Sequence, residues 1–475
     1  MRSPLLALGA AAAIGCHSGE PFELRDFAAP CGPEACAPRE VAELALGWGY
    51  TCARFAAGAV KCWGRNESGV LGYGPLHPAV FEPSQVGVLE FGSARSVVQI
   101  SAGWHHACAV FEDHRARCWG RNDAGQLGIG STEDYGDDLG ETLAALPDLP
   151  LENVTQISAG LRNTCAIVSA APERPGRVHC WGSDLGGALG DRASGAFGDD
   201  EPVDGTRPVA LPDDAVRVAT GAELACALLA NGAVHCWGDN WAKTLGIGDS
   251  TCDIGDERPC FGDQGRVPDI PVVGLSRRSI VDVFVNQTSA CVIENAGALL
   301  CWGRNSQSRL GYPDALEGEF LGAPPGPVAL GSSLAVVDLG RGVRHACALD
   351  AQGSIRCFGE RGPALGYAMD PEEGVAGIGG IQTPAAAYAL RSDQGIVDVG
   401  DFDGVEGVDP ARAIYAGASA TCALLVSGDV RCWGTNEFGE LGYGDPLQVG
   451  AIGDDATPGS EYRRLGRRSV RFFEE

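Results

Sequence analysis

Short apolar stretches of alternating character recur along the chain, and each leads into a cysteine. SVVQISAG (96–103) precedes Cys108, nine residues separate that cysteine from the next, and Trp-Gly follows at once. A period of two over so few residues predicts β-strands, and the turn between the cysteines predicts an antiparallel hairpin. Little in the chain reads as amphipathic helix. The unit comes round seven times: Cys52 with Cys62, Cys108 with Cys118, Cys165 with Cys180, Cys226 with Cys236, Cys291 with Cys301, Cys347 with Cys357 and Cys422 with Cys432. Successive copies are 56 to 75 residues apart. Such a period predicts one supersecondary unit stacked on copies of itself.

The hairpin gives the cysteines a reason. In the first copy the turn is Ala57-Gly58, which sets Cys52 opposite Cys62 on neighbouring strands, and opposed antiparallel positions lie within disulfide reach. Pairing is therefore expected inside each repeat, including the third, where APERPG (171–176) lengthens the hairpin. Each closed loop would contribute about 3 kcal/mol on a chain-entropy reckoning. Structural zinc needs close-set C-x2-4-C pairs, which nine-residue gaps do not supply, so no metal is expected here.

Two further positions recur. Five residues before the first cysteine stand Gly47, Gly103, Gly160, Gly221, Gly342 and Gly417, with Asn286 in the fifth copy. Asn is the side chain that best tolerates positive φ, so a left-handed backbone is expected there. After the second cysteine, Trp63, Trp119, Trp181, Trp237, Trp302 and Trp433, with Phe358 in the sixth copy, open x-Asn-x-x-Gly-x-Leu-Gly, as in RNDAGQLG (121–128). An Asn amide can tie down that turn and the Leu can pack between units. An aromatic present in every copy is expected in the core between units, not in a ligand site.

The joined pattern, Gly-x-x-x-Thr/Ala-Cys-Ala-Leu then Gly-x-Val-x-Cys-Trp-Gly-x-Asn-x-x-Gly-x-Leu-Gly, resembles the regulator of chromosome condensation repeat over residues 41–475. The resemblance implies an all-β fold, a seven-bladed β-propeller of four-stranded blades around a channel, whose closure leaves few free sheet edges. RRSVRFFEE (467–475) is expected to open a further strand and complete a blade shared with the first repeat. The sixth copy departs from the pattern at FGERGPALG (358–366) and in a long insertion through Gly407, and the fourth carries Cys252 and Cys260 in an inserted loop, where a further disulfide is expected.

The beginning of the chain reads differently. Leu5 to Gly15 is a short apolar run after Arg2, the form of a signal peptide and too short to span a membrane. It stops at Ala-Ile-Gly-Cys16, similar to the lipobox of bacterial lipoproteins, which makes Cys16 the lipidated residue and accounts for the odd one among 19 cysteines. Residues 1–15 are thus expected to be a lipoprotein signal peptide, 16–40 a lipidated tether stapled between Cys31 and Cys36, and 41–475 the propeller. With His17 after the cysteine, residence at the outer membrane follows by analogy.

Composition narrows the partners. There are 69 glycines against 2 methionines, in keeping with many turns, and the formal net charge is −27. A surface so acidic repels nucleic acid and anionic lipid. The acidic stretches STEDYGDDLG (131–140) and GDDEP (198–202) read as a solvated rim, with calcium as the other reading; neither matches an EF-hand loop. His77, His114, His179 and His235 stand outside any Gly-x-Ser-x-Gly or His-Glu-x-x-His setting, no phosphate loop opens a helix, and no cofactor is expected.

Function is then sought where repeats differ. Residues two to four before each first cysteine occupy equivalent turns on one face, and read round the ring they include Trp48, Tyr50, Trp104, His105, Arg162, Glu223 and Arg344. Trp, Tyr and Arg are enriched where binding energy concentrates, so these seven are the candidate partner-binding residues. The expectation is a monomeric envelope scaffold that binds a protein or glycan. The nuclear exchange activity of the family's namesake is not expected of an exported chain, whereas exported members that inhibit β-lactamases make enzyme inhibition the alternative. A carbohydrate-active enzyme with carboxylates at the channel mouth is the third reading.

Overall fold

The computed structural model of the chain describes residues 40–92, 95–171, 174–190, 195–204, 207–248, 267, 270–312, 320–330, 335–360, 364, 410–444 and 469–473. Cys16, Cys31, Cys36, Cys252 and Cys260, and nearly all of the insertion in the sixth repeat, lie outside them.

Each repeat folds as one antiparallel sheet, giving seven sheets. Their first strands are Val41–Leu46, Val97–Ala102, Val154–Ala159, Ala215–Thr220, Ile280–Val285, Val336–Arg341 and Ala411–Ala416. These strands contact one another in sequence and the seventh contacts the first, so they form a closed ring of inner strands. The second and third strands of each blade form the cysteine hairpin, for example His106–Phe111 with Ala116–Gly120. Among the described residues the fourth strand is vestigial. It is a two-residue ladder in blades 1 and 5, Ala79–Val80 and Phe320–Leu321, and single bridges, Gly120 to Tyr135 and Gly182 to Phe197, stand in its place in blades 2 and 3. No helix among the described residues is long and apolar enough to cross a membrane.

The cysteines pair within repeats. Cys52 is bonded to Cys62, Cys108 to Cys118, Cys165 to Cys180 and Cys226 to Cys236, and the later blades repeat this with Cys291 to Cys301, Cys347 to Cys357 and Cys422 to Cys432. All seven bonds join directly opposed residues of a hairpin, with Cα atoms 3.9 to 4.1 Å apart. The lengthened third hairpin keeps its register, with Cys180 opposite Cys165.

The recurring tryptophans join blades. Each indole N–H donates to a backbone carbonyl of the preceding blade: Trp119 to Val70, Trp181 to Gln126, Trp237 to Ala188, Trp302 to Thr244, Trp433 to Ala364 and Trp63 to Glu440, at 2.8 to 3.0 Å. The accepting carbonyl belongs to the residue before Leu in Gly-x-Leu-Gly. That loop is held by its Asn, whose side-chain oxygen accepts the Leu N–H, as in Asn122 with Leu127 at 2.9 Å. Gly128 then lets the indole approach, since it has φ +72° and a Cβ there would meet Trp181 Nε1 at 2.8 Å.

The glycines before the hairpins do not need a left-handed backbone; neither they nor Asn286 are among the residues with positive φ. The reason is steric. A Cβ on Gly47 would strike the carbonyl oxygen of Gly103, one on Gly103 that of Gly160, and the same approach recurs from Gly160 to Gly221, Gly221 to Asn286, Gly342 to Gly417 and Gly417 back to Gly47. The residue after the glycine exploits this approach: Trp104 donates its backbone N–H to Gly160 O at 3.0 Å and Leu161 to Gly221 O at 3.1 Å. At blade 5 the Asn286 side-chain amide performs the task, donating to Gly342 O at 3.1 Å.

The described C-terminal residues, 469–473, do not form a new strand. Val470 N–H bonds Val430 O at 2.9 Å, as Leu149 does Ala116 O and Val209 does Val178 O. The segment therefore occupies the place of the connection that elsewhere leads from one blade to the next. There Phe472 packs edge-on to Phe55 and Trp63 of blade 1, and Lys61 Nζ donates to Phe472 O at 2.8 Å.

Two substitutions test this account. Gly103→Ala is expected to lose about 1–3 kcal/mol in urea denaturation, the cost of overpacking where the obstacle is backbone. Trp181→Phe installs the smaller ring already present at Phe358; it removes one donor and part of a fully buried indole, so a loss of about 2–4 kcal/mol is expected. An unchanged midpoint in either variant would contradict it.

Candidate functional site

The inner strands end at a cavity of about 140 Å³ at one mouth of the channel, lined by all seven blades. The triplet that follows each ring position has a division of labour that the sequence did not reveal. The first residue lines the cavity in six blades (Trp48, Trp104, Ala222, Gln287, Val343, Ala418), and its counterpart Leu161 is half-buried. The second is exposed or half-buried except in blade 1, where Gly49 is buried, and the third (Tyr50, His106, Asn163, Leu224, Ser289, His345, Ala420) is buried in every blade.

Tyr50 is consequently no contact residue. It is 1 % exposed, and its hydroxyl is 3.0 Å from Gly103 O and 2.7 Å from His106 O, both in the next blade. His106 plays the same part. Its Nε2 lies 2.8 Å from Thr164 Oγ1, and that hydroxyl donates to Gln126 O at 2.9 Å. Since Thr164 spends its hydrogen on the carbonyl, His106 must donate from Nε2, which leaves Nδ1 unprotonated and without a partner. His345 repeats the arrangement with Thr421 and Ala364 O.

The third position is also matched in size to the end of the next inner strand. Bulky Tyr50, His106, Leu224 and His345 face Ala102, Ala159, Val285 and Ala416; small Ser289 and Ala420 face Arg341 and Leu46. Large and small residues are thus opposed in most of these pairs, with Leu224 and Val285 the exception.

The remaining candidates do share a face. Trp48 and Trp104 have ring centroids 4.2 Å apart, tilted by 59°, with His105 stacked on Trp48 at 6.0 Å. Trp48 is 38 % exposed. The cations of this face are compensated by acids at the turn of the preceding or the same blade. Arg162 pairs with Asp123 at 3.0 Å, His105 Nδ1 lies 3.6 Å from Glu67, and Arg344 pairs with Glu360 at 3.1 Å. Arg162 and Arg344 are therefore ion-paired at the rim of an aromatic centre. Burial lowers the His105 pKa and raises that of Glu223.

One aromatic was missed. Trp241 is 39 % exposed on the same side, next to Phe320 at 5.6 Å and with Arg304 5.6 Å from its ring. It follows the recurring Asn240, at a position held by Glu67, Asp123, Leu185, Ser306 and Glu437 elsewhere. That variability beside a recurring turn residue was the signal to find it.

The acidic stretches are partly spent on local structure: Asp134 accepts the Asn122 N–H at 2.7 Å and Glu141 that of Gly136 at 2.8 Å. At 199–201 the carboxylates of Asp199, Asp200 and Glu201 come within 4.8 Å of one another, with Arg207 3.8 Å from Glu201.

The architecture is that of a closed seven-bladed propeller. The family model of the regulator of chromosome condensation (RCC1) repeat matches residues 57–110 and 114–167, and a second model of the same repeat matches 97–126, 215–240 and 411–440. The chain is a regulator of chromosome condensation repeat protein. It is similar to the ultraviolet-B receptor UVR8 of Arabidopsis thaliana, 27 % identical over 327 residues, which cover 68 % of this chain and 66 % of UVR8. Another relative is the E3 ubiquitin-protein ligase HERC2 of Homo sapiens, 27 % identical over 59 % of this chain and 5 % of that protein. In both, the match spans less than two thirds of the relative. Among solved structures, Prp20p of Saccharomyces cerevisiae superposes with a TM-score of 0.59 at 17 % identity, covering 80 % of each chain. Yeast RCC1 (Prp20) bound to Kap60 gives 0.61 at 19 % identity, covering 86 % of this chain and 83 % of that one. These likenesses show the fold.

The buried histidines make stability depend on pH. Burial lowers the His106 pKa from 6.5 to about 3 and that of His345 to about 4. Each folded value lies below the unfolded one, so the stabilisation is complete above about pH 6.5 and is lost as pH falls toward the folded values. His106→Gln keeps a donor for Thr164 and removes the titration. Urea midpoints between pH 7 and 4 are expected to fall less steeply in the variant than in the parent; parallel profiles would refute the assignment.

Proposed function

We propose that the propeller is a binding scaffold that holds a protein partner against the glycine-ring mouth, with Trp48 and Trp104 as anchors. The observation that carries this reading is the tilted, half-exposed tryptophan pair over a cavity at the centre of the face. Large aromatics in such a position supply most of the energy of an interface, while the ion-paired rim around them contributes orientation. The solved relatives support the class of activity: Prp20p has binding properties toward Gsp1p and histones, and yeast RCC1 (Prp20) is also seen with Kap60 bound to it. The ligase activity of HERC2 is not carried over, since the match covers 5 % of that protein.

Anchorage to the cell envelope through a lipidated Cys16 belongs to the same proposal and rests on the sequence. The geometry favours it in one respect. The first inner strand begins at Val41 and ends at Leu46, just before Gly47 and Trp48. At about 3.3 Å per residue this puts the entry of the chain roughly 20 Å from the aromatic mouth, at the other end of the channel. A tether at that end presents the tryptophans away from the membrane.

Capture from cell-envelope and culture-medium extracts tests the proposal. The parent chain is expected to retain a protein that the double variant Trp48→Ala with Trp104→Ala releases, with the thermal midpoint of that variant within a few degrees of the parent. Equal capture by both forms would remove this face as the site. Loss of catalytic activity in a captured enzyme would make the scaffold an inhibitor.

A further inference from the structure

Six of the seven inner strands reach the cavity with an uncharged residue: Leu46, Ala102, Ala159, Thr220, Val285 and Ala416. Blade 6 ends in Arg341. Its guanidinium crosses to blade 5, donates to Ser289 Oγ at 2.5 Å and lies against Cys291 Sγ, a disulfide sulfur. Neither acceptor carries charge, and Nε has no partner at all. Among the described residues no carboxylate pairs with it; desolvation alone acts on its pKa, pushing it down to about 9, so it stays protonated at neutral pH. Arg162, Arg309 and Arg344, on the exposed face, are by contrast each paired with an acid. The acid nearest in its own strand, Asp338, is turned to blade 7, where its Oδ2 accepts the Ile414 N–H at 3.0 Å.

A half-buried cation without a counter-ion is costly, and Arg341 is one of the residues that line the cavity, where an uncompensated guanidinium is the arrangement that recognises an oxyanion. We propose that the channel-mouth cavity is an anion site that takes a single carboxylate, with Arg341 as its counter-ion. One guanidinium compensates one charge. The inner strands carry Glu43, Asp282 and Asp338 three residues before their mouth ends, and the protein as a whole is strongly acidic, so a second charge on the ligand is opposed. Phosphate is therefore disfavoured. Trp48 and Trp104 at the same mouth offer an apolar surface to whatever the carboxylate is attached to. This inference rests on Arg341 and the cavity and stands whether or not a protein partner is captured.

Arg341 also fills the space beside Ser289, so a variant must keep its volume. Arg341→Met does, and the full chain is titrated with sodium propionate, with propionamide as the uncharged isostere and sodium chloride matching ionic strength. The Arg341 Nε–H resonance of the parent is expected to move saturably with propionate and not with propionamide. The thermal midpoint of the parent is expected to rise with propionate, and that of Arg341→Met to stay still. Absence of a propionate response in the parent, an equal response to propionamide, or a midpoint response retained in the variant would overturn the proposal. Should Arg341→Met fail to fold, the resonance shift in the parent decides alone. A short peptide with a free C-terminus, compared with its amide, separates the sources: an acid form at least tenfold tighter than propionate assigns a carboxylate carried on a polypeptide, and equal affinity assigns a free small acid.

Discussion

The hydrogen bond from each hairpin indole to the loop of the preceding blade is the contact on which the rest of this structure depends. It is made in the core, where an unsatisfied carbonyl or N–H would cost more than the bond itself contributes. Because donor and acceptor lie in different blades, the bond converts seven marginal sheets into a ring. The last bond, from Trp63 to Glu440, closes blade 1 on blade 7 across nearly the whole chain. Thr51, Thr164 and Thr421 send their hydroxyls to the same carbonyls as the neighbouring indoles. Those oxygens are thereby satisfied on both lone pairs. Phe358 takes the ring position without the bond, and it does so in the blade whose sequence departs furthest from the pattern.

Disulfides and inter-blade bonds act on different steps. The former hold each hairpin in register within a blade, and the latter fix the distance between blades. The glycine ring sets that distance, since only a residue without Cβ lets the backbone of one inner strand touch the carbonyl of the next. Asn286 shows what happens when one glycine is lost: the side chain takes over the bond that the following N–H makes in blades 2, 3 and 7. Ser289 and Arg341 then fill the altered space. The site at the mouth is thus a by-product of how one interface departs from the other six.

The sequence made the fold legible because its signals were local and repeated. Cysteine spacing, the period of two and the Asn-to-Leu turn each report on a few adjacent residues, and seven copies average out the exceptions. What stayed hidden were contacts between blades, which are distant along the chain. Asn in place of Gly at 286 suggested backbone φ, when the actual constraint was a carbonyl oxygen in another repeat. Tyr50 and Trp48, two residues apart, look alike as candidates, yet one points between blades and the other over the mouth. Arg162 and Arg344 stand in the sequence as candidate contact residues, and their pairing with Asp123 and Glu360 is visible only in the structure. The C-terminal Val470 to Phe472 reads as a strand from its alternation, but it makes a single backbone bond to the edge strand it meets, Val470 N–H to Val430 O, and serves as a connection instead.

The size matching at the third triplet position has a consequence for how such a protein can change. Tyr50 fits beside Ala102, and Ala420 beside Leu46, so a blade lifted from one place and inserted at another would carry half of two mismatched joints. The unit that can be copied intact is the seam, the second half of one repeat with the first half of the next. In assembly, the ring is a sequence of joints rather than a sequence of blades.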